Sequence, residues 1–168
     1  MVGMSDVNLR DATPEDAAAI AAIYRPYVLT SAATMELEPP DEAEIGRRLA
    51  DVRGRGLPYL VAEQDGEVVG YGYSSLFRPR PGYKFTVEDS IYLRGDQGGR
   101  GLGSLLLAAV IAASREAGCR QMVAVIGGDN QASIAMHRAK GFALIGVLQG
   151  VGWKFDQPQN VTLMQLTL

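Results

Sequence analysis

The sequence is poor in the residues that build disulfide frameworks and metal centres. Its 168 residues contain one cysteine, Cys119, and one histidine, His137. A single cysteine excludes an internal disulfide and is typical of a protein of the reducing cytoplasm, which is where we expect this one. One histidine and one cysteine far apart in the chain form no ligand cluster, so we expect no metal.

The sequence also lacks a positive net charge and any long apolar run. Its formal net charge is −3, which argues against a nucleic-acid partner because such binding depends on neutralising many phosphates. No apolar run is long enough to span a bilayer, so we expect no membrane association. Residues 1–6 show no basic segment followed by an apolar one, and nothing in them indicates secretion.

Hydrophobic residues make up 47% of the chain, which suits a single domain over residues 1–168 with a full core. Alternation predicts a strand over residues 7–10. Thr13 and Asp41 are expected to cap two helices, the first interrupted at Pro26, with a loop over residues 31–40 between them.

Strands are predicted over residues 58–63 and 67–74, joined by a hairpin turn at Asp65 and Gly66. Gly70 and Gly72 indicate a bulge or a close backbone approach.

A βαβ unit is predicted next in the chain. It consists of a strand over residues 86–93, a helix from Leu102 to about residue 117 and a strand over residues 121–126. A helix over residues 132–140 follows. Two last strands, residues 142–154 and 161–168, are expected to be joined through residues 156–159.

The glycine-rich stretch at residues 98–104 lies between the strand and the helix of that unit. Glycines let the backbone turn tightly and approach a ligand, and the N–H groups at a helix start bind phosphate. A glycine-rich connector without a ligand explains the same residues, since such motifs occur often by chance.

The order of elements and two motifs resemble the GNAT acetyltransferase family. The motifs are Gly98-Gly99-Arg100-Gly101-Leu102-Gly103 and the run from Asn130 to Phe142, and the resemblance covers residues 7–168. It implies the GNAT α/β (α+β) fold, with a mixed, mostly antiparallel sheet flanked by helices. It also implies acetyl-CoA as co-substrate, with its pyrophosphate at the glycine loop and its pantetheine arm between splayed strands.

A narrower match is to the phosphinothricin and methionine sulfoximine N-acetyltransferase branch. It rests on residues 34–40, 77–80 and 86–92, on the run from His137 to Phe142, and on the C-terminal end. This branch implies direct acetyl transfer to the primary amine of a small amino-acid-like molecule, and a homodimer. The sequence departs from the pattern at Gly98, where Arg or Gln is usual, and at residues 157–160.

Acetyl transfer needs a base, because alkyl amines are protonated at pH 7. Glu88 is the candidate base, although an exposed glutamate at a strand end is the ordinary alternative. His137 occupies the place of the thiolate-protonating tyrosine of many GNAT enzymes and is the second catalytic candidate; a packed helical histidine is the alternative. Tyr92 is a further candidate proton donor, or a plain strand aromatic. Cys119 lacks a neighbouring base, which indicates packing rather than an acyl-enzyme.

The remaining predicted contacts follow from the resemblance. Arg78 and Arg80, in a proline-rich loop, are expected to clamp an α-carboxylate or a phosphinate of the substrate, unless they are solvated basic residues. Glu88 is the third predicted substrate-binding residue. Asn130 is expected to hold the pantetheine arm, to cap a helix, or both. Trp153 and Phe155 are expected in a core or a dimer interface. The full set of predicted cofactor-binding residues is Ile91, Tyr92, Leu93, Gly99, Arg100, Gly101, Leu102, Gly103, Ser104, Asn130 and Ser133.

Two other functions remain open from the sequence. The first is acetylation of protein N-termini or of other small amines, against which Arg78 and Arg80 argue because a peptide presents no carboxylate near its amine. The second is a catalytically silent domain that binds acetyl-CoA as a sensor, indicated only by Gly98.

Overall fold

The computed structural model describes residues 6–168, so most of the stretch on which the expectation about secretion rests, residues 1–5, lies outside it. Over residues 6–168, seven strands form one sheet in the order β1-β2-β3-β4-β5-β7-β6. Only β4 and β5 are parallel, and every other pair is antiparallel. The predicted mixed, mostly antiparallel sheet is confirmed. Its strands are β1 (Asn8–Asp11), β2 (Tyr59–Gln64), β3 (Glu67–Leu76), β4 (Thr86–Leu93), β5 (Gln121–Gly127), β6 (Ala143–Lys154) and β7 (Gln157–Thr167).

In the described part of the chain, four α-helices cover the two faces of the sheet: α1 (Ala17–Thr30), α2 (Glu42–Gly54), α3 (Leu102–Glu116) and α4 (Gln131–Ala139). The apolar sides of α1 and α2 pack on one face, around the buried rings of Tyr59 and Tyr71. The buried side of α3 packs on the opposite face, against Val87 and Met122. The expected cap of α2 is present, because the Asp41 carboxylate accepts from the Glu44 amide at 2.8 Å.

The expected interruption of the first helix at Pro26 is wrong, since α1 runs through it. Proline removes one helical hydrogen bond and disfavours a helical residue before it. Ile23, Tyr24 and Val28 on either side are buried, and that packing outweighs the local cost. Pro26 itself lies on the exposed side of the helix.

The expected connection over residues 156–159 is also wrong. The turn between β6 and β7 is Phe155 and Asp156, both with positive φ, and β7 begins directly at Gln157. Pro158 is tolerated in this strand because the pairing of β7 with β5 begins only at Val161, so no ladder bond to β5 is lost.

Gly70 and Gly72 confirm the predicted close approach. A Cβ on Gly72 would lie 2.6 Å from Ile91 Cδ1 and 3.1 Å from Val110 Cγ2, and one on Gly70 would lie 2.9 Å from Leu93 Cδ2. A register shift between Ala62 and Glu63 of the paired strand accompanies them. Without side chains at these two positions, α3 lies close to the sheet and its first turn is brought to the end of β4.

Candidate active site

A cleft opens where β4 and β5 separate. The two strands pair only from Thr86 to Glu88 on β4 and from Gln121 to Val123 on β5. Beyond that point β5 remains paired with β7 as far as Gly127, and the space between β4 and β5 is a cleft of about 630 Å³. Glu88 therefore stands at the apex of the opening, and the starts of α3 and α4 border it.

The glycine turn forms one wall of this cleft. Gly99 and Gly101 have φ of 75° and 83°, a left-handed conformation that favours glycine. A Cβ on Gly103 would lie 3.1 Å from Met136 Sδ. Within residues 6–168, no side chain caps the start of α3, so its first N–H groups remain available to an anion. The wall therefore fits the pyrophosphate of acetyl-CoA.

Most of the predicted cofactor-binding residues line the cleft: Ile91, Tyr92, Leu93, Gly99, Gly101, Gly103, Ser104, Asn130 and Ser133. Two do not. Arg100 is exposed on the outside of the turn, and the Leu102 side chain is buried in the core beneath α3. Asn130 caps α4, because its side-chain oxygen accepts from the Ser133 amide at 3.1 Å.

Glu88 lies half-buried in this cleft. Burial, and to a lesser extent the charge of Asp89, raise its pKa to about 7. The physical reason is that a carboxylate removed from water without a compensating partner is costly. A carboxyl group that exchanges its proton near neutral pH is suited to act as a base there.

Asp89 was not predicted, yet it forms the most buried charged contact in the cleft. Its Oδ2 lies 2.9 Å from His137 Nε2, and the two residues are 8% and 4% exposed. The pair raises the pKa of His137 even though burial alone would lower it. The alternation of β4 sends Asp89 to the face opposite Glu88, and the sequence offered only this alternation and the adjacent negative charge as clues.

Tyrosines form the wall on the Glu88 face of the sheet. The Tyr92 ring packs edge-on against those of Tyr24 and Tyr27, and burial raises its pKa well above the ordinary value. The Tyr27 hydroxyl donates to the Leu93 carbonyl at 2.8 Å and accepts from the Leu93 amide at 3.2 Å. Tyr27 was also not predicted, and it satisfies backbone groups of β4 in the stretch that has left β5.

The loop over residues 31–40 closes the cleft beside β5. Thr34 and Met35 line it, and a Cβ on Gly127 would collide with the Ala32 carbonyl. Glu36, in the middle of this loop, anchors it to α2 through a bidentate ion pair with Arg48 at 2.6 and 3.0 Å. The buried Lys154 ammonium donates to the Thr34 carbonyl at 2.8 Å.

The predicted carboxylate-binding arginines are not brought into the cleft. Arg78 and Arg80 are exposed, and neither lines it. The Arg78 guanidinium lies 5.1 Å from the centre of the Phe77 ring. Their loop nevertheless begins near the apex, because Ser75 of β3 is the cross-strand partner of Glu88.

The described residues also bear on metal binding, membrane spanning and the reactivity of the cysteine. Over residues 6–168, no group of His, Cys, Asp and Glu side chains could hold a metal ion, and no helix in that range is long and apolar enough to cross a bilayer. Cys119 is a buried free thiol packed in the core, and burial raises its pKa.

Comparisons with known proteins agree with this geometry. The model of the acetyltransferase (GNAT) family matches residues 18–142. Phosphinothricin N-acetyltransferase of Alcaligenes faecalis is 45% identical over 92% of this chain and 79% of its own. L-methionine sulfoximine/L-methionine sulfone acetyltransferase of Pseudomonas aeruginosa is 42% identical over 96% of this chain and 94% of its own.

A solved structure gives the same result. The phosphinothricin acetyltransferase of Sinorhizobium meliloti, crystallised with acetyl-CoA, superposes with a TM-score of 0.94 at 44% identity, covering 97% of this chain and 89% of that one. The chain belongs to the GNAT acetyltransferase family. It is an N-acetyltransferase, and acetyl-CoA is its co-substrate.

Proposed function

We propose that this enzyme transfers the acetyl group of acetyl-CoA directly to the α-amine of a small amino-acid-like substrate of the methionine sulfoximine, methionine sulfone or phosphinothricin type. Relatives at 42–45% identity bear those names. The observation that supports the choice of amine is the half-buried carboxyl of Glu88, whose pKa is raised to about 7.

The type of amine follows from matching proton affinities. An α-ammonium group is more acidic than a lysine-type ammonium group, whose pKa is about 10.4, because its carbon also carries an electron-withdrawing carboxyl or carbonyl group. Glu88, with a pKa of about 7, therefore removes a proton from an α-ammonium group at a smaller cost than from a lysine-type group, where the difference exceeds about three pKa units. The site therefore favours α-amines.

The reaction needs no acyl-enzyme. Glu88 accepts a proton from the bound ammonium, and the freed amine nitrogen attacks the thioester carbonyl. A carbon–nitrogen bond forms, the carbon–sulfur bond breaks, and the departing sulfur takes a proton. The nitrogen loses its second proton through water, so one proton per turnover reaches the solvent. Pyrophosphate held at the start of α3 would place the thioester near Glu88.

The experiment that tests this function is a panel of amines with acetyl-CoA, followed by the release of free thiol. We expect release with methionine sulfone, methionine sulfoximine and phosphinothricin, and slow release with lysine side-chain amines. If no amine releases thiol while acetyl-CoA raises the melting temperature, the protein is a sensor and the proposal is wrong.

One observation favours a second candidate, acetylation of peptide N-termini. Arg78 and Arg80 lie outside the cleft, and no Arg or Lys among the described residues lines it to hold a free carboxylate beside the amine. A peptide with a free α-amine belongs in the same panel. Faster turnover of that peptide than of methionine sulfone would replace the first candidate with the second.

We further propose that the enzyme is a cytoplasmic homodimer that pairs through β6. This strand is the edge of the sheet and exposes large apolar side chains along its length, with Ile145 59% and Trp153 66% exposed. Edge strands with exposed apolar residues are templates for pairing, and a second copy offers a matching edge. The cytoplasmic location rests on the free thiol of Cys119 and on the need for acetyl-CoA.

Sedimentation of two variants tests the dimer. Ile145→Lys should give a monomer, because it places a charge in the proposed interface. Leu37→Lys is the matched control, since Leu37 is equally exposed but lies in the loop over residues 31–40. A monomeric parent, or dissociation by both variants, would contradict the interface.

A further inference from the structure

Three polar side chains form a row on the face of β4 opposite Glu88. His137 Nε2 lies 2.9 Å from Asp89 Oδ2, and His137 Nδ1 lies 3.3 Å from Ser133 Oγ and 2.7 Å from the Ser133 carbonyl. All three residues line the cleft. The helical spacing of four residues places Ser133 directly over His137.

Hydrogen-bond chemistry fixes where the protons are. The Ser133 carbonyl can only accept, so the Nδ1 atom facing it carries hydrogen. The contact between Nε2 and Asp89 needs a second proton. Both nitrogens are therefore protonated when Asp89 is a carboxylate. Among residues 6–168 the Ser133 hydroxyl has no other partner, so its own hydrogen can be donated into the cleft.

Around the imidazole, the described cleft residues include no Arg or Lys side chain, and the other carboxyl, Glu88, lies on the opposite face of β4. The titratable side chains that line the cleft are Tyr27, Glu88, Asp89, Tyr92 and His137. On the elements beside His137, β5 has no charged residue and α3 has none before Arg115. Arg138, next to His137 on α4, is exposed. Asp89 is thus the group that sets the protonation of the imidazole.

We propose that Ser133, His137 and Asp89 form a proton relay to the leaving sulfur, in which Ser133 is the donor and Asp89 is a positioning residue. The proposal rests on the proposed acetyl transfer. When the carbon–sulfur bond breaks, the sulfur takes the hydroxyl hydrogen of Ser133. In the same step Ser133 Oγ takes the Nδ1 hydrogen of His137.

The relay leaves a short-lived neutral ring behind. His137 keeps Nε2–H pointed at the Asp89 carboxylate, and the re-formed Ser133 hydroxyl donates to Nδ1. The unprotonated Nδ1 then faces the Ser133 carbonyl 2.7 Å away, which favours its reprotonation. Loss of the Nε2 proton instead would set an unprotonated nitrogen against a carboxylate, which is repulsive. The Nδ1–Oγ distance is long here, but catalytic hydrogen bonds often tighten only when substrates are bound. Solvent returns the proton to Nδ1.

The proton affinities of the partners are compatible. An alkyl thiol has a pKa of about 8.5, and an acid is most effective when its pKa lies near the working pH. Burial alone would lower the pKa of His137, but Asp89 raises it above its ordinary value, which favours the imidazolium relative to an unpaired imidazole.

Nitrogen NMR of the full-length, tag-free chain tests the relay without substrates. His137 is the only histidine, so one imidazole gives all the signals. We expect both nitrogens protonated at pH 6, and with rising pH the loss of the Nδ1 proton while Nε2–H persists. In Asp89→Asn the midpoint should fall by about one pH unit or more. A neutral ring that keeps its proton on Nδ1 would overturn the proposal.

Kinetics of Ser133→Ala provide the second measurement. We expect kcat to fall by roughly tenfold to a hundredfold, with no comparable change in the KM for acetyl-CoA. Ser133→Thr should restore most of the rate because it keeps a hydroxyl on the same turn. Ala135→Ser, on the exposed side of α4, is the matched control and should behave like the parent.

The outcomes separate the relay from the proposed function. If Ser133→Ala acetylates α-amines as fast as the parent, the relay is wrong and the proposed function stands. A parent that releases no thiol with any amine rules out the function, whereas the proton positions on His137 still decide the relay geometry.

Discussion

The two faces of β4 place two neighbouring carboxyl groups in opposite chemical situations. Glu88 lies on the face of α1 and α2, beside the buried tyrosines, and its pKa is raised to about 7 by burial and by the nearby charge of Asp89. Asp89 lies on the face of α3 and α4, where His137 contacts it at 2.9 Å. The pleat of one strand therefore separates a base from a charged pair.

This difference shows how one strand can serve both substrates of a transfer reaction. The amine needs a group that gains a proton near neutral pH, which an unpaired, half-buried carboxyl provides. The sulfur needs a group that loses one, which an imidazolium held by a carboxylate provides. The cleft joins both faces at its apex, so the two functions act within one site.

The largest effect should follow from removing the base. Glu88→Gln keeps the shape of the side chain but cannot accept a proton, so kcat should fall by roughly a hundredfold or more. In the parent, kcat/KM should rise with pH through about 7, because Glu88 must lose its proton to act. Steady-state rates from pH 5.5 to 9 measure both, and a variant that retains the parent's rate and pH profile would exclude Glu88 as the base.

The same substitution should stabilise the fold. Because the pKa of Glu88 is raised from 4.5 to about 7, the folded state binds its proton more tightly than the unfolded state. The parent's stability should therefore fall as pH rises from about 4.5 through 7. Glu88→Gln has no such loss, and we expect it to be more stable than the parent by about 2 kcal/mol at pH 8 in urea unfolding. Equal stability at that pH would contradict the raised pKa.

The sequence predicted those site residues that stand at a recognisable spacing from neighbouring strands and helices. The glycine turn, Glu88, Asn130 and His137 stand at characteristic distances from their strands and helices, and the structure brings them to one cleft. Asp89 was missed because its partner is 48 residues away, a contact that no local pattern encodes. Tyr27, whose contact with Leu93 spans 66 residues, was missed for the same reason.

The two wrong predictions about the fold have a similar origin. Pro26 was expected to interrupt a helix because local chemistry disfavours it there, but the buried residues around it hold α1 together. The turn at Phe155 and Asp156 lacks glycine, so it gave no recognisable hairpin pattern. In both cases long-range packing or pairing outweighed the local preference.

A comparable effect on stability should follow from breaking the Asp89–His137 pair on the other face of β4. The pKa of His137 is raised, so the pair stabilises the folded state fully below the unfolded pKa of about 6.5. This stabilisation is lost as pH rises through the folded value. Asp89→Asn should therefore cost about 2 kcal/mol at pH 6 and less at pH 9, as measured by urea unfolding.

Asp16→Asn is the matched control for that pH dependence. Asp16 is a similarly buried aspartate, but its partner is Arg10 at 2.8 Å and its pKa is lowered. Its contribution is present above the unfolded pKa, so the cost of Asp16→Asn should be the same at pH 6 and 9. A cost of Asp89→Asn that does not change between these pH values would show that the pair is not charged.

The smallest effect should come from the glycine turn, where the cofactor side of the cleft departs from the family pattern. Gly98 lines the cleft with ordinary extended backbone, and a Cβ there would meet nothing within 4 Å. Gly98→Arg should therefore fit without strain and add a charged donor near the expected pyrophosphate. We expect the Kd for acetyl-CoA to fall by about threefold to tenfold, corresponding to about 1 kcal/mol. Gly82→Arg, at an equally open position outside the cleft, is the control and should leave the Kd for acetyl-CoA unchanged in calorimetric titrations. If Gly98→Arg instead weakens acetyl-CoA binding, the phosphates lie elsewhere.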